Sequence, residues 1–176
     1  SNDLTQPAIL KMMAMGGEGS IIDRLKQLHL VPLTISYEYD PCDYLKAREY
    51  QLRRDVPYWK KTAEDDMESM LVGIKGFKGH IFYRCAPCID EWLDTVDAEQ
   101  PKNKLFDEIA AHIDREIHSN YELYPCNYVA LDMIQDTKVY EEYYTSEDYQ
   151  KFDEYINGQI EKIDIENRDD HFLRIC

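Results

Sequence analysis

The 176-residue sequence predicts an α/β fold: a layer of a few strands, largely parallel, with helices over residues 1–96, then an all-helical extension over 97–176. Three observations predict it. Two short segments, one beginning at Leu30 and one at His80, alternate in character and are rich in β-branched and aromatic residues. Helical patterns lie between them, giving a crossover long enough for parallel pairing. From Asp97 onward only helical periodicity is present.

The elements follow in order. In TQPAILKMMAMGG, Thr5 offers an N-cap and Pro7 sits in the first turn, where a missing N–H costs little; Gly16-Gly17 is a natural stop. In GSIIDRLKQLHL, Ser20 caps a second helix with Ile21, Leu25 and Leu28 along one side. LVPLTISYEYDP then reads as a buried strand, with Val31, Leu33, Ile35 and Tyr37 on one face and Pro32, Thr34, Ser36 and Glu38 on the other. It finishes on polar and aromatic residues just before Pro41. Strand ends of this kind are where open α/β sheets bind ligands.

Asp40-Pro41 breaks the chain, and CDYLKAREYQLRRD resumes as a charged helix up to Val56-Pro57. Thr62 and Asp65 form a capping-box start to the next helix, in which Met67, Met70, Leu71 and Ile74 share one face. Gly76 and Gly79 end it, and HIFYRCA is the second strand. In the extension, Leu105, Phe106, Ile109, Ile113 and Ile117 line one helix. Phe152, Tyr155, Ile156, Ile160 and Ile163 line another, capped at Ser146.

Composition bounds the function. The net charge of −15 disfavours phosphate backbones and anionic headgroups, so no nucleic-acid partner is expected. No apolar run approaches the ~20 residues of a membrane span. Five irregularly spaced cysteines suit reduced thiols in a cytoplasmic setting. The chain starts at Ser1-Asn2-Asp3 without methionine and enters a helix almost at once, which reads as a piece of a longer protein.

Motifs with chemical potential are few. CAPC, Cys85 to Cys88, has redox or zinc-ligand spacing and stands before a short helical segment, IDEWLDTV. It lacks the second ligand pair of a structural zinc site, so two packing cysteines at a strand end are the simpler reading. In HIDREIHSNYELYP, His112 and Glu116 share a helix face, as do His118 and Glu122 if the helix continues. Such pairs also suit a solvated surface, and no metal or other cofactor is assigned. No serine sits in a nucleophile elbow, and GFKG is too short for a phosphate cradle.

Three pieces, in order, resemble the glycerophospholipid acyltransferase family, closest to bacterial glycerol-3-phosphate acyltransferases. SNDLTQPAILKMM is similar to the segment after that family's third block, which carries the phosphate-binding Glu-Gly-Arg residues. LVPLTISYEYDP resembles the fourth block, whose Pro-containing strand closes the acceptor site. TAEDDMESMLVGIKGFKGHIFYRCAP resembles the helix, basic turn and strand that follow, with Cys85-Ala86-Pro87 where the family has Gly-x-Pro. The resemblance covers about residues 1–95.

It implies acyl transfer from acyl-CoA or acyl carrier protein to a hydroxyl of glycerol-3-phosphate or a lysophospholipid. Pro32, Tyr37 and Glu38 would wall the acceptor pocket. The family's His-x4-Asp catalytic pair is absent, since none of the five histidines has aspartate five positions on. No catalytic residue is therefore assigned. The resemblance implies a carboxyl-terminal portion, inactive alone, that works with an N-terminal half of the same cytoplasmic protein, peripheral at the inner membrane. The alternative is a non-catalytic, acidic, helical interaction or regulatory module; a third is a metal-dependent enzyme built on the His112–Glu122 helix.

Overall fold

The computed structural model describes residues 4–163. Helices α1 (Pro7–Met13) and α2 (Ile21–Lys26) precede strand β1 (Leu33–Tyr37). Helices α3 (Asp43–Asp55) and α4 (Ala63–Lys75) lead to strand β2 (Ile81–Cys85). Then come α5 (Asp90–Leu93), α6 (Lys102–Ser119), α7 (Pro125–Gln135), a 3-10 turn (Glu141–Tyr143) and α8 (Ser146–Glu161). Past residue 97, no strand occurs among the described residues. The predicted extension continues over 164–176, outside the described residues, as does the Ser1-Asn2-Asp3 start.

The chain forms two compact units, each built from separated segments. One holds the described residues up to Ser36 together with Phe82–Glu122; the other holds Tyr37–Ile81 together with the described residues from Leu123 on. The 96/97 division reads a change in sequence character, whereas contacts divide the chain after Ser36, Ile81 and Glu122.

In the first unit, α1 packs on α6 and α2 on α5. Leu10, Ala14, Ile22, Leu25, Ile89, Leu93, Leu105, Phe106, Ile109 and Ala110 form its apolar core. Thr5 does not cap α1; its N–H and hydroxyl donate to Asp114 Oδ1 at 2.9 and 2.7 Å, tying the start of α1 to α6. Ser20 does cap α2, in a reciprocal box with Asp23. In the second unit, α8 packs on α7 and α3 around Cys126, Val129, Ala130, Phe152 and Ile156. Helix α4 opens with the predicted Thr62–Asp65 box, yet buries nothing: Met67, Met70, Leu71 and Ile74 are all exposed.

The strands correct the expected pairing. β1 and β2 form a two-stranded antiparallel ribbon, not a largely parallel layer. Glu38 N–H donates to the His80 carbonyl at 2.9 Å, and Ala86 N–H donates to the Pro32 carbonyl at 2.9 Å. The end of β1 therefore faces the start of β2. The physical reason is the connection: it contains two helices, one leading away and one returning, so the chain re-enters beside the end of β1. A single crossover helix would have delivered it to the start.

The ribbon also reverses the expected burial. Thr34 and Ser36 are buried, while Leu33 and Tyr37 are exposed. Facing pairs put Leu33 with Cys85, Ile35 with Tyr83, and Tyr37 with Ile81 on one side, and five of these six residues are exposed. On the other side the Thr34 hydroxyl donates to the Ile117 carbonyl at 3.0 Å, and Ser36 Oγ accepts from Glu122 N–H at 2.9 Å. The two hydroxyls thereby tie the buried face of β1 to backbone groups at and just past the end of α6. The polar face is the packed one.

Candidate functional site

The three residues expected to wall an acceptor pocket lie at the two ends of β1. Pro32 is buried at its start, its carbonyl held by Ala86. Tyr37 stands on the opposite, open face beside Ile81. Glu38 is on the face of Pro32 and closes the far end of the ribbon. Its Oε2 accepts the His80 N–H at 2.8 Å and lies 2.7 Å from His80 Nδ1. Gly79 adopts φ +62, and a Cβ there would meet Glu38 Oε2 at 2.3 Å, so only glycine allows this clasp. Alternation along the strand separates Tyr37 from Pro32 and Glu38.

A second constellation forms where α2 and α5 meet. Helix α2 unwinds through Gln27–Leu28 to His29, which takes the left-handed conformation (φ 48) usually left to glycine or asparagine. Ile89 N–H donates to the Leu30 carbonyl at 3.0 Å, so the backbone after His29 is pinned to the backbone after Cys88. Leu25, Ile89 and Leu93 are fully buried beneath this join. Cys88 lies three residues past the end of β2 and Asp90 is the first residue of α5.

One ligand-type atom from each of His29, Cys88 and Asp90 lies within 4.8 Å of the others, the one such group among the described residues. His29 Nδ1 is 2.6 Å from Asp90 Oδ2. That hydrogen bond holds the Asp90 carboxyl below its ordinary pKa; partial burial opposes it, and the Cys88 thiol and Lys26 charge assist. Asp90 Oδ1 is shielded from solvent and has no well-formed hydrogen bond. CAPC spacing singles out Cys88 in the sequence, but it pairs Cys88 with Cys85, which lies exposed at the end of β2. His29 and Asp90, some sixty residues apart, carry no local signal that they would meet.

The other candidates take structural roles. His112 stacks on Trp92 at 3.8 Å, and its pKa is lowered mainly by burial. α6 ends at Ser119, so His118 and Glu122 do not share a helix. In the second unit, buried Asp43 accepts from the Tyr155 hydroxyl at 2.5 Å and from Gln159 Nε2 at 2.9 Å. Burial pushes the Asp43 pKa up despite these bonds, and burial pushes Tyr155 up as well.

Asp132 is also buried, and it accepts from Thr137 and Tyr144 hydroxyls at 2.8 and 2.9 Å and from Val139 and Tyr140 N–H groups at 3.0 Å each. Burial opposes ionisation there, but the four donors outweigh it and lower the pKa. Cys126 is an inert thiol, pushed up to about 12 chiefly by burial.

The His29–Cys88–Asp90 group thus has coordinating chemistry, and the Glu38–His80 clasp has charge at a strand end. Compared with known proteins, the chain matches no family model, no curated protein and no solved structure.

Proposed function

We propose that this chain is the carboxyl-terminal portion of an acyltransferase that moves an acyl group from a thioester donor, acyl-CoA or acyl carrier protein, to a hydroxyl of glycerol-3-phosphate or a lysophospholipid. The observation that carries this reading is the open apolar side of the β1–β2 ribbon. An isolated two-stranded ribbon is marginal in water, and exposed contiguous apolar faces mark surfaces that meet something else. Leu33, Tyr37, Ile81 and Tyr83 are 39–59% exposed on one face. The exposed stripe of α4 adds a second apolar surface. An N-terminal half supplying further sheet, the catalytic His-x4-Asp pair and the phosphate-binding block would cover such surfaces. The order of the three acyltransferase-like blocks supports the same assignment.

In this reading the chain contributes Glu38, at the end of β1, to the acceptor wall, while Pro32 is buried and Tyr37, on the opposite face, belongs to the surface that the N-terminal half covers. The Glu38–His80 clasp fixes that end, so the wall is preorganised. No helix among the described residues is long and apolar enough to cross a membrane. Contact of the cytoplasmic enzyme with the inner membrane would come from the other half, because a net charge of −15 repels anionic lipid.

The test is the coding sequence that precedes Ser1, followed by assay of the extended chain with acyl-CoA and glycerol-3-phosphate. A His-x4-Asp block with turnover in the extended chain, and none in residues 1–176 alone, is the expected result. Turnover by residues 1–176 alone, or an upstream segment lacking both blocks, overturns it; the latter favours an interaction module.

A further inference from the structure

We infer that His29, Cys88 and Asp90 bind one zinc-class divalent metal ion. The inference is independent of the acyltransferase reading. The donor set is mixed: an imidazole nitrogen, a thiolate sulfur and a carboxylate oxygen. Zinc accepts all three, whereas magnesium and calcium take oxygen and avoid sulfur.

The geometry suits a tetrahedral ion. Bonds of about 2.0–2.3 Å place neighbouring donors roughly 3.3–3.7 Å apart. The three donor atoms already lie within 4.8 Å of one another. The His29 side chain is 77% exposed, so its ring has room to open from the 2.6 Å hydrogen bond with Asp90 to the coordinating separation. Cys88 and Asp90 stand on a rigid base, anchored by Ile89 and Leu93 in the core and by the Ile89–Leu30 hydrogen bond.

A separate observation points to a ligand. Asp90 Oδ1 is closed off from water and lacks a well-formed hydrogen bond, which native structures rarely leave without a partner. An ion between Asp90, Cys88 and His29 would neutralise the carboxylate. Binding takes Cys–SH and M²⁺ to Cys–S–M⁺ and H⁺, the thiol proton passing to buffer. His29 gives up its hydrogen bond to Asp90 and coordinates through its unprotonated nitrogen. With a neutral imidazole, one thiolate and one carboxylate, the site is neutral overall. The exposed side leaves a fourth position for water.

The experiment is titration of the reduced, full chain with Co²⁺, followed by displacement with Zn²⁺. The expected result is one Co²⁺ per chain, with a thiolate-to-cobalt charge-transfer band and the strong visible bands of a tetrahedral site, both removed by Zn²⁺. Cys88→Ser should abolish the charge-transfer band, while Cys85→Ser retains it. His29→Gly should weaken affinity at least about tenfold. Because glycine relaxes the left-handed backbone at this position, that variant keeps or raises its melting temperature, and loss of the fold cannot explain the loss of metal. No tetrahedral cobalt spectrum, or a charge-transfer band that survives Cys88→Ser, overturns the proposal.

Discussion

The two units solve burial by different means. The first is held by aliphatic side chains: Leu25, Ile89, Leu93, Leu105 and Ile109 are essentially inaccessible to solvent, and the polar groups it buries, Thr34 and Ser36, are hydroxyls. The second buries two carboxylates and two amides, Asp43, Asp132, Gln51 and Gln159, among tyrosines. Apolar burial depends little on pH, whereas a buried carboxylate links folding to proton uptake. The two aspartates also differ from each other. Four donors favour the charged form of Asp132, while burial outweighs the donors around Asp43. The number and geometry of donors, not burial alone, decide the sign.

The two tryptophans allow the contrast to be tested, because Trp92 belongs to the first unit and Trp59 to the second. Single-tryptophan variants report each unit by fluorescence during urea unfolding. The largest effect is expected from Leu93→Ala, which empties a fully buried site and should cost about 2–5 kcal/mol, equally at pH 5 and pH 8. A strongly pH-dependent cost would break the comparison. Tyr155→Phe in the second unit should cost about 1–3 kcal/mol, because it leaves Asp43 short of a buried donor. A variant as stable as the parent at pH 7 would show that bond to be idle.

The aspartates should then separate in urea midpoints followed across the acid range. The raised pKa of Asp43 stabilises the fold below its unfolded value, and that contribution is lost as pH rises through the folded value. The lowered pKa of Asp132 does the reverse: its contribution is present above the unfolded value and is lost as pH falls through the folded one. Asp132→Asn should therefore weaken the protein at pH 7 and converge on the parent in acid. Asp43→Asn should fall furthest behind the parent in acid and recover towards neutrality. Parallel profiles for the two variants would remove the distinction. The smallest effect is expected at Thr145→Ala, which breaks the Thr145–Asp148 capping box of α8 and should cost about 1 kcal/mol at most.

Much of the local structure was legible. Ser20 and Thr62 read as caps because a hydroxyl three residues before an acid satisfies free N–H groups whatever surrounds it. The periodicities of α6 and α8 were equally plain, with Leu105, Phe106, Ile109, Phe152 and Ile156 buried as expected. The same logic misled at the ribbon and at α4. Alternation in β1 and the stripe Met67–Met70–Leu71–Ile74 show which residues share a face, but not whether that face is covered within the chain. Helix α7 was not singled out at all. Its buried side, Cys126, Val129, Ala130 and Asp132, mixes small and acidic residues and lacks a strong apolar stripe.

The sequence by itself determined both strands, the helices other than α7, which residues share each face, and that the His-x4-Asp pair is absent. These follow from short-range rules: steric preference, capping and periodicity act within a few residues. Only the tertiary structure decided that β2 returns antiparallel to β1, that Thr34 and Ser36 rather than Leu33 and Tyr37 are buried, and that His29 and Asp90 join Cys88. Each depends on which distant segments meet, and loop closure over about sixty residues costs an entropy nearly indifferent to sequence. Packing of Leu25, Ile89 and Leu93 supplies what spacing along the chain does not, and it places the three ligand-type side chains together.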